Sequence, residues 1–277
     1  SVYCDMSLML AYKAVYQTAM IEAGRLGAGL NIKKAGNYTK REDAITVQPM
    51  LVDDVAMFNP SGGYGSCVLP AVLMILLQQA LALGIGMSAG TARERNRNGR
   101  LIPDDDPHYS GAYRIVTGKA LCYGMLGAIA AAYLSMAVPH MFSFPQLASG
   151  WTLLLMLIPY TVASIFFGMT VSCLVRYREN VMLIMVFVSV PLLFLTGVSW
   201  PQTSIPAAWQ GVSWLFPSTF GVRAFIRVNS MGASIGQILP EIRILWIQAA
   251  AYLGLACLVY RYQFHLAKKY AERTDSV

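Results

Sequence analysis

Gly118 and Lys119 are the first residues that suggest chemistry, because a glycine followed by a lysine can close a loop that cradles phosphate. Such a loop needs four residues between its opening glycine and a Gly-Lys-Ser/Thr end, so that successive backbone amides curl around one phosphate group. Here six residues separate Gly111 from Gly118, and Ala120 stands where a metal-binding hydroxyl is required. The expectation is that this chain does not itself hydrolyse ATP. His108, His140 and His265 are each isolated from the Cys, Asp or Glu spacing of a metal site, and read as structural or interfacial. The run Asp104-Asp105-Asp106 could ligate a cation, but nothing flanks it to complete a shell, so it reads as a solvated loop. Of the five cysteines, only Cys4 and Cys67 fall where an oxidising compartment could reach them, and their spacing leaves open whether they bridge. Cys122, Cys173 and Cys257 read as small buried apolar residues.

These groups are scattered along a chain whose dominant feature is apolar length. Hydrophobic residues make up 56% of the 277 and charged residues only 13%, well below the charge of an ordinary soluble domain. Five apolar blocks, at 67–90, 120–141, 151–175, 181–200 and 242–264, each come close to the roughly 20 residues that cross a hydrocarbon core about 30 Å thick. Open backbone polar groups cost several kcal/mol in lipid, so the blocks must be helices. The alternating segments of about 10 residues that a barrel needs are absent. The expected fold class is mainly α, a polytopic helical membrane protein.

Its cations set the orientation, since positively charged short segments stay in the cytoplasm. Arg93, Arg95, Arg97, Arg100, Arg114 and Lys119 follow the first block, Arg176 and Arg178 the third, and Arg261, Lys268, Lys269 and Arg273 end the last. Residues 138–150 carry no Lys or Arg. The first 60 residues and the 201–240 connection, with Arg223 and Arg227, then lie outside, and Arg243, near the start of the last block, is also placed toward the outside. The net charge of +7 is thus mostly topological, and nucleic-acid binding has little support.

An outer amino-terminal segment must be carried across the membrane, and nothing in residues 1–60 can do so; residues 6–20 are too short and too polar for a signal segment. An upstream spanning helix is therefore expected, making six spans, with 1–60 a partial extracytoplasmic domain and 61–277 the permease domain. Met6, Met9, Leu10, Ala14, Val15, Tyr16, Ala19 and Met20 recur near helical spacing and predict an amphipathic helix over 5–27, stopped by Gly24, Gly27 and Gly29. Residues 33–43 read as turn-like. Ile45-Thr46-Val47 and 50–57 read as strands, so the segment is expected to be the back half of a small α/β domain.

Two membrane-edge segments carry the most information. Residues 201–240 are too polar at Gln202, Thr203 and Ser204 to continue a span, yet Trp209, Trp214, Leu215, Phe216, Phe220, Phe225 and Ile226 make them strongly apolar. A re-entrant pair of short helices in the outer leaflet reconciles the two, with an amphipathic surface loop as the alternative. On the inner side, residues 91–100 extend the first span as a charged helix that stops near Gly99, suited to a soluble partner or to lipid phosphates. Within the first span, Gln78 and Gln79 sit at mid-depth, where polar side chains avoid lipid. They are candidates for a pathway or a dimer seam, or equally for helix-to-helix hydrogen bonds. Pro159 and Pro191 mark bends in the third and fourth spans.

Several local patterns resemble one family. Phe58-Asn59-Pro60 looks like the entry to the second helix of type-2 ABC exporter permeases, and Gly168–Ser172 with Arg176-Tyr177-Arg178-Glu179 like the inner end of their fourth. Phe194-Leu195-Thr196-Gly197 with Pro201, then Pro206, Trp209 and the Leu215-Phe216-Pro217 turn, resembles their fifth helix and outer hairpin, the most specific of the patterns. The resemblance covers residues 58–264, about three-quarters of the chain. One departure is clear: the family's acidic-basic-acidic run ending Gly-Thr is replaced by Arg93-Glu94-Arg95-Asn96-Arg97-Asn98-Gly99-Arg100.

The resemblance implies an exporter half-channel in a bacterial cytoplasmic (inner) membrane. A second permease copy or a paralogue would complete the pathway, and separate cytoplasmic ATPase subunits, holding ATP and Mg, would drive it; this chain itself would bind no cofactor. Further partners would be membrane lipid and a periplasmic adaptor protein. By position and charge, Arg93, Glu94, Arg95, Arg97 and Gly99 would couple to the ATPase. Leu195, Thr196 and Gly197 would join Gln78 and Gln79 at the pathway or dimer seam, and Pro206, Trp209, Pro217 and Phe220 would form an outer gate hairpin. Two other classes stand as alternatives. A membrane-embedded enzyme would need clustered polar groups at one depth, and a secondary transporter would need intramembrane acids or inverted repeats. The cargo is not written in the sequence, since Met- and aromatic-rich surfaces adapt to many shapes.

Overall fold

A computed structural model describes residues 9–36, 39–47, 64–94, 112–142, 146–173, 177–198 and 205–274. The chain divides into two units, Ser1–Val55 and Ala56–Val277.

The first unit contains helix α1 (Met9–Ala35) and helix α2 (Lys40–Val47). Three expectations fail here. Helix α1 passes through Gly24, Gly27 and Gly29, because a helical glycine costs only about 1 kcal/mol and good helix formers surround these. It ends instead at Gly36, whose φ of 63° is left-handed. Its apolar residues do not gather on one face, and Met20, Ile21, Leu26 and Leu30 are all exposed. Ile45-Thr46-Val47 is helical rather than a strand. Thr39 and Glu42 form a capping box, the Thr39 hydroxyl accepting from Glu42 N at 3.3 Å and the Glu42 carboxylate from Thr39 N at 3.2 Å. There is no strand among the described residues, so the α/β domain is not supported. The proposed strand over 50–57 lies outside the described residues, as do Cys4 and the side chain of Cys67.

The second unit is a helical bundle: α3 (Tyr64–Glu94), α4 (Ala112–Ala132), a π-helical turn (Tyr133–Ala137), α5 (Val138–Met141), α6 (Gly150–Ser172), α7 (Arg178–Leu195), α8 (Ala207–Ser213), α9 (Pro217–Asn229) and α10 (Ile235–Thr274). Five segments are long and apolar enough to cross a membrane: Val68–Glu94, Ala112–Met141, Gly150–Ser172, Arg178–Leu195 and Ile235–Gln263. All five expected blocks thus coincide with candidate spans, with different edges. Helix α4 starts at Ala112, so Lys119 lies within it, its ammonium 5.1 Å from the Tyr260 ring centre, where a loop was expected. Helix α10 starts at Ile235 and runs through Pro240, and helices α6 and α7 run through Pro159 and Pro191.

Helix α6 forms the centre, with Met156, Tyr160, Ala163 and Met169 fully buried against Met74, Leu77 and Ile85 of α3. Its first turn is capped by Ser149, whose hydroxyl accepts from Thr152 N at 3.3 Å. The π turn follows from Pro139, which has no N–H to offer the carbonyl of Ser135. The Gln146 side chain supplies the donor instead, at 3.3 Å. Helices α8 and α9 form a helical pair whose turn lies against mid-length residues of the α10 span and the last turns of α6. Gln248 Nε2 donates to Trp214 O at 2.6 Å, the Tyr252 hydroxyl donates to Leu215 O, and Phe216 packs edge-on against Phe167 at 5.7 Å.

Candidate functional site

At the inner end, α3 finishes with two charged residues that each reach another helix. Arg93 Nη2 donates to Ser172 O at 2.9 Å, satisfying a carbonyl that the last turn of α6 leaves open. Glu94 accepts from the backbone N–H of Arg178 at 3.1 Å and pairs with that residue's Nε at 3.7 Å. A carboxylate at the start of α7 also faces the positive end of its macrodipole. The pair is half-exposed, so its net worth is a few tenths of a kcal/mol to about 1. The approach itself depends on a small residue: a Cβ on Gly90 would sit 2.9 Å from the Arg178 Cα and N. Gly86, four residues earlier, meets Val181 at 2.5 Å on the same test. This Gly86-x-x-x-Gly90 spacing is a close-packing motif for membrane helices, and it is the sequence signal that could have paired α3 with α7. Arg95, Arg97 and Gly99 lie outside the described residues.

At mid-depth the two glutamines diverge. Gln78 is buried, and its Oε1 accepts from the backbone N–H of Ser218 at 2.6 Å, so it holds the first turn of α9 to α3. Gln79, about 100° further round the helix, is half-buried, and its enclosed Nε2 has no partner among the described residues. Tyr160 of α6 makes two further contacts that were not anticipated, one to α3 and one to α9. The Tyr160 hydroxyl donates to Met74 O at 2.5 Å, and its ring packs on Gly221, where a Cβ would come within 2.3 Å.

Of the hairpin residues, Pro206 precedes α8, Pro217 opens α9 and is buried, Trp209 is exposed, and Phe220 is buried. Phe220 meets Trp214 edge-on at 5.9 Å and lies 5.4 Å from the Arg223 guanidinium. Leu195 and Thr196 are buried at the end of α7. Gly197 has a φ of 83°, the left-handed conformation that ends a helix, so glycine is required there by backbone geometry. Sequence reasoning also missed a carboxylate inside a span: Glu241 of α10 is buried and accepts from Arg227 at 2.5 Å. The earlier start of α10 brings it into the helix.

These contacts join one helix to another within a bundle of five spanning segments, and they define a polytopic helical membrane protein. The sequence model of the ABC-2 family transporter proteins matches residues 1–258, and the chain belongs to that family. It is an ABC-transporter permease, a transport subunit, and the match extends across the first unit as well as the bundle. No curated protein matches the chain.

Proposed function

We propose that this chain forms half of an export pathway in a bacterial cytoplasmic membrane. A second copy or a paralogous permease supplies the other half, and separate cytoplasmic ATPase subunits bind ATP and magnesium and supply the energy. The observation that carries this reading is the family match over residues 1–258. The bundle surface supports it. Ala80, Gly84, Ser88 and Thr91 form a small and polar stripe along the uncovered face of α3, with Gln79 on its flank, unlike a surface meant only for lipid.

The inner end is the coupling side. Arg93 and Glu94 connect α3 to α6 and α7, so displacement of the chain beyond Glu94 moves three helices together. The pair α8–α9 is a re-entrant hairpin in the outer leaflet. In support, its turn is bonded to Gln248 and Tyr252, well inside a span that begins at Ile235. The segment before α3 and the connection from α7 to α10 lie on the outer side, and the connection from α3 to α4 and the end of α10 on the cytoplasmic side.

Affinity purification of the chain from its native membrane tests the proposal. An ATP-hydrolysing subunit should co-purify, and recovery as an active transporter without one would overturn it. Reversing the charge of Arg95 or Arg97 should uncouple transport from hydrolysis without unfolding the permease. Impermeant labelling of Asn98→Cys as readily as Asn37→Cys in intact cells would refute the topology.

A further inference from the structure

A second charged cluster lies where α9 meets the start of the last span. Glu241 of α10 is buried and gives only one oxygen to Arg227: Oε1 accepts from Arg227 Nη1 at 2.5 Å, while Oε2 is enclosed and has no hydrogen-bond partner among the described residues. Arg223 stands one turn before Arg227 on α9 and is half-buried. Its Nε and Nη2 are likewise enclosed without an acceptor among the described residues, and its guanidinium rests 5.4 Å from the Phe220 ring centre. The charges of Glu241 and Arg227 both act on it. Counted outward from the connection between the helices, Arg223 and Glu241 each lie six residues inside, since α9 ends at Asn229 and α10 starts at Ile235.

A buried carboxylate that loses its cation is strongly destabilising, and the Arg227 side chain, 48% exposed, is a partner that solvent can draw away. A cation–π contact holds Arg223 only weakly, so its guanidinium can leave the ring for Oε2 by side-chain rotation. We infer that Glu241 is shared by the two arginines: Arg227 holds it in the arrangement seen here, and Arg223 takes it over when Arg227 is withdrawn. The carboxylate then stays paired while α9 shifts against α10. Arg223 is thus a positioning residue for the hairpin, and its departure also frees the Phe220 ring that packs on Trp214. The sharing rests on the geometry alone; its use in export rests on the function proposed above.

Thermal unfolding of the full chain in detergent provides the test. Arg223→Gln and Arg227→Gln should each lower the midpoint by about 2 °C or less, because the other arginine still serves the carboxylate. Together they should lower it by about 8 °C or more, well beyond their sum, as a stranded buried charge requires. Adding Glu241→Gln to that pair should restore most of the loss, since no buried charge is then left alone. Additive losses, or a triple variant as unstable as the double, would overturn the sharing, and so would failure of both to fold. In the Arg227→Gln background, an Arg223→Gln loss of the same size with Glu241→Gln as without it would assign Arg223 to another acid, and would overturn the sharing equally. None of these measurements involves the ATPase or a cargo, so their failure is distinct from failure of the export reading.

Discussion

Helices α9 and α7 handle burial in opposite ways. Helix α9 carries Ser218, Thr219, Arg223 and Asn229, yet most of it is buried, held by Gln78 of α3 and pressed against Tyr160 of α6. Helix α7 is almost wholly apolar, yet only Val181, Leu192 and Leu195 are buried, and Met182, Leu183, Phe187 and Val190 are exposed. In water such an exposed face would be costly. In a membrane an apolar face is content with lipid, whereas a polar helix is shielded from it by protein. Helix α9 is so enclosed although buried side-chain atoms of Ser218, Arg223 and Asn229 find no hydrogen-bond partner among the described residues. Burial within this chain therefore follows polar need as much as hydrophobicity. Helix α7 is also left as a surface for lipid or another chain.

The contrast can be broken most severely at Gly221. Gly221→Leu drives a side chain into the Tyr160 ring and should destabilise the bundle by about 3 kcal/mol or more, seen as a large fall in thermal stability in detergent. Tyr160→Ala in the Gly221→Ala background should restore part of the loss, because contacting sites do not add independently; strict additivity would show that the two do not meet. Gly90→Val comes next: its side chain meets the backbone at Arg178, so about 1–3 kcal/mol is expected, with α7 loosened before α9. Hydrogen exchange that rises first in α9 would contradict this order. Gln78→Leu leaves the Ser218 N–H without its acceptor, at about 1–3 kcal/mol. Phe187→Ala should be smallest, within about 0.5 kcal/mol for the isolated chain, while weakening association if a second copy covers α7. A large loss of stability in the monomer would mean that α7 is not an outer surface.

The five spans were legible because length and apolarity alone define them, and only their edges moved, as at Ala112 and Ile235. The first unit was harder to read. The β-branched residues Ile45, Thr46 and Val47 favour a strand by propensity, but the capping of Thr39 by Glu42 starts a helix that carries through them. The Thr-x-x-Glu spacing was present in the sequence and gave the correct signal. Gln78 and Gln79 were rightly marked as unusual at mid-depth, but adjacent residues on a helix point about 100° apart. Only the fold could show that Gln78 faces α9. The contact of Gly221 with Tyr160 had no sequence signal, since it joins residues on two helices whose pairing no local pattern encodes. Gly197 was marked through the family resemblance, whereas its backbone dihedral is what fixes the residue type.

Gln248 and Tyr252 stand one turn apart on α10 and hold the adjacent carbonyls of Trp214 and Leu215. Both fasteners belong to one rigid face, so neither carbonyl has an independent clasp on another element. A rotation or slide of α10 that withdraws one withdraws the other. The hairpin is therefore expected to exchange its amides as a single cooperative unit, with residues 217–229 sharing one opening free energy rather than fraying from the turn.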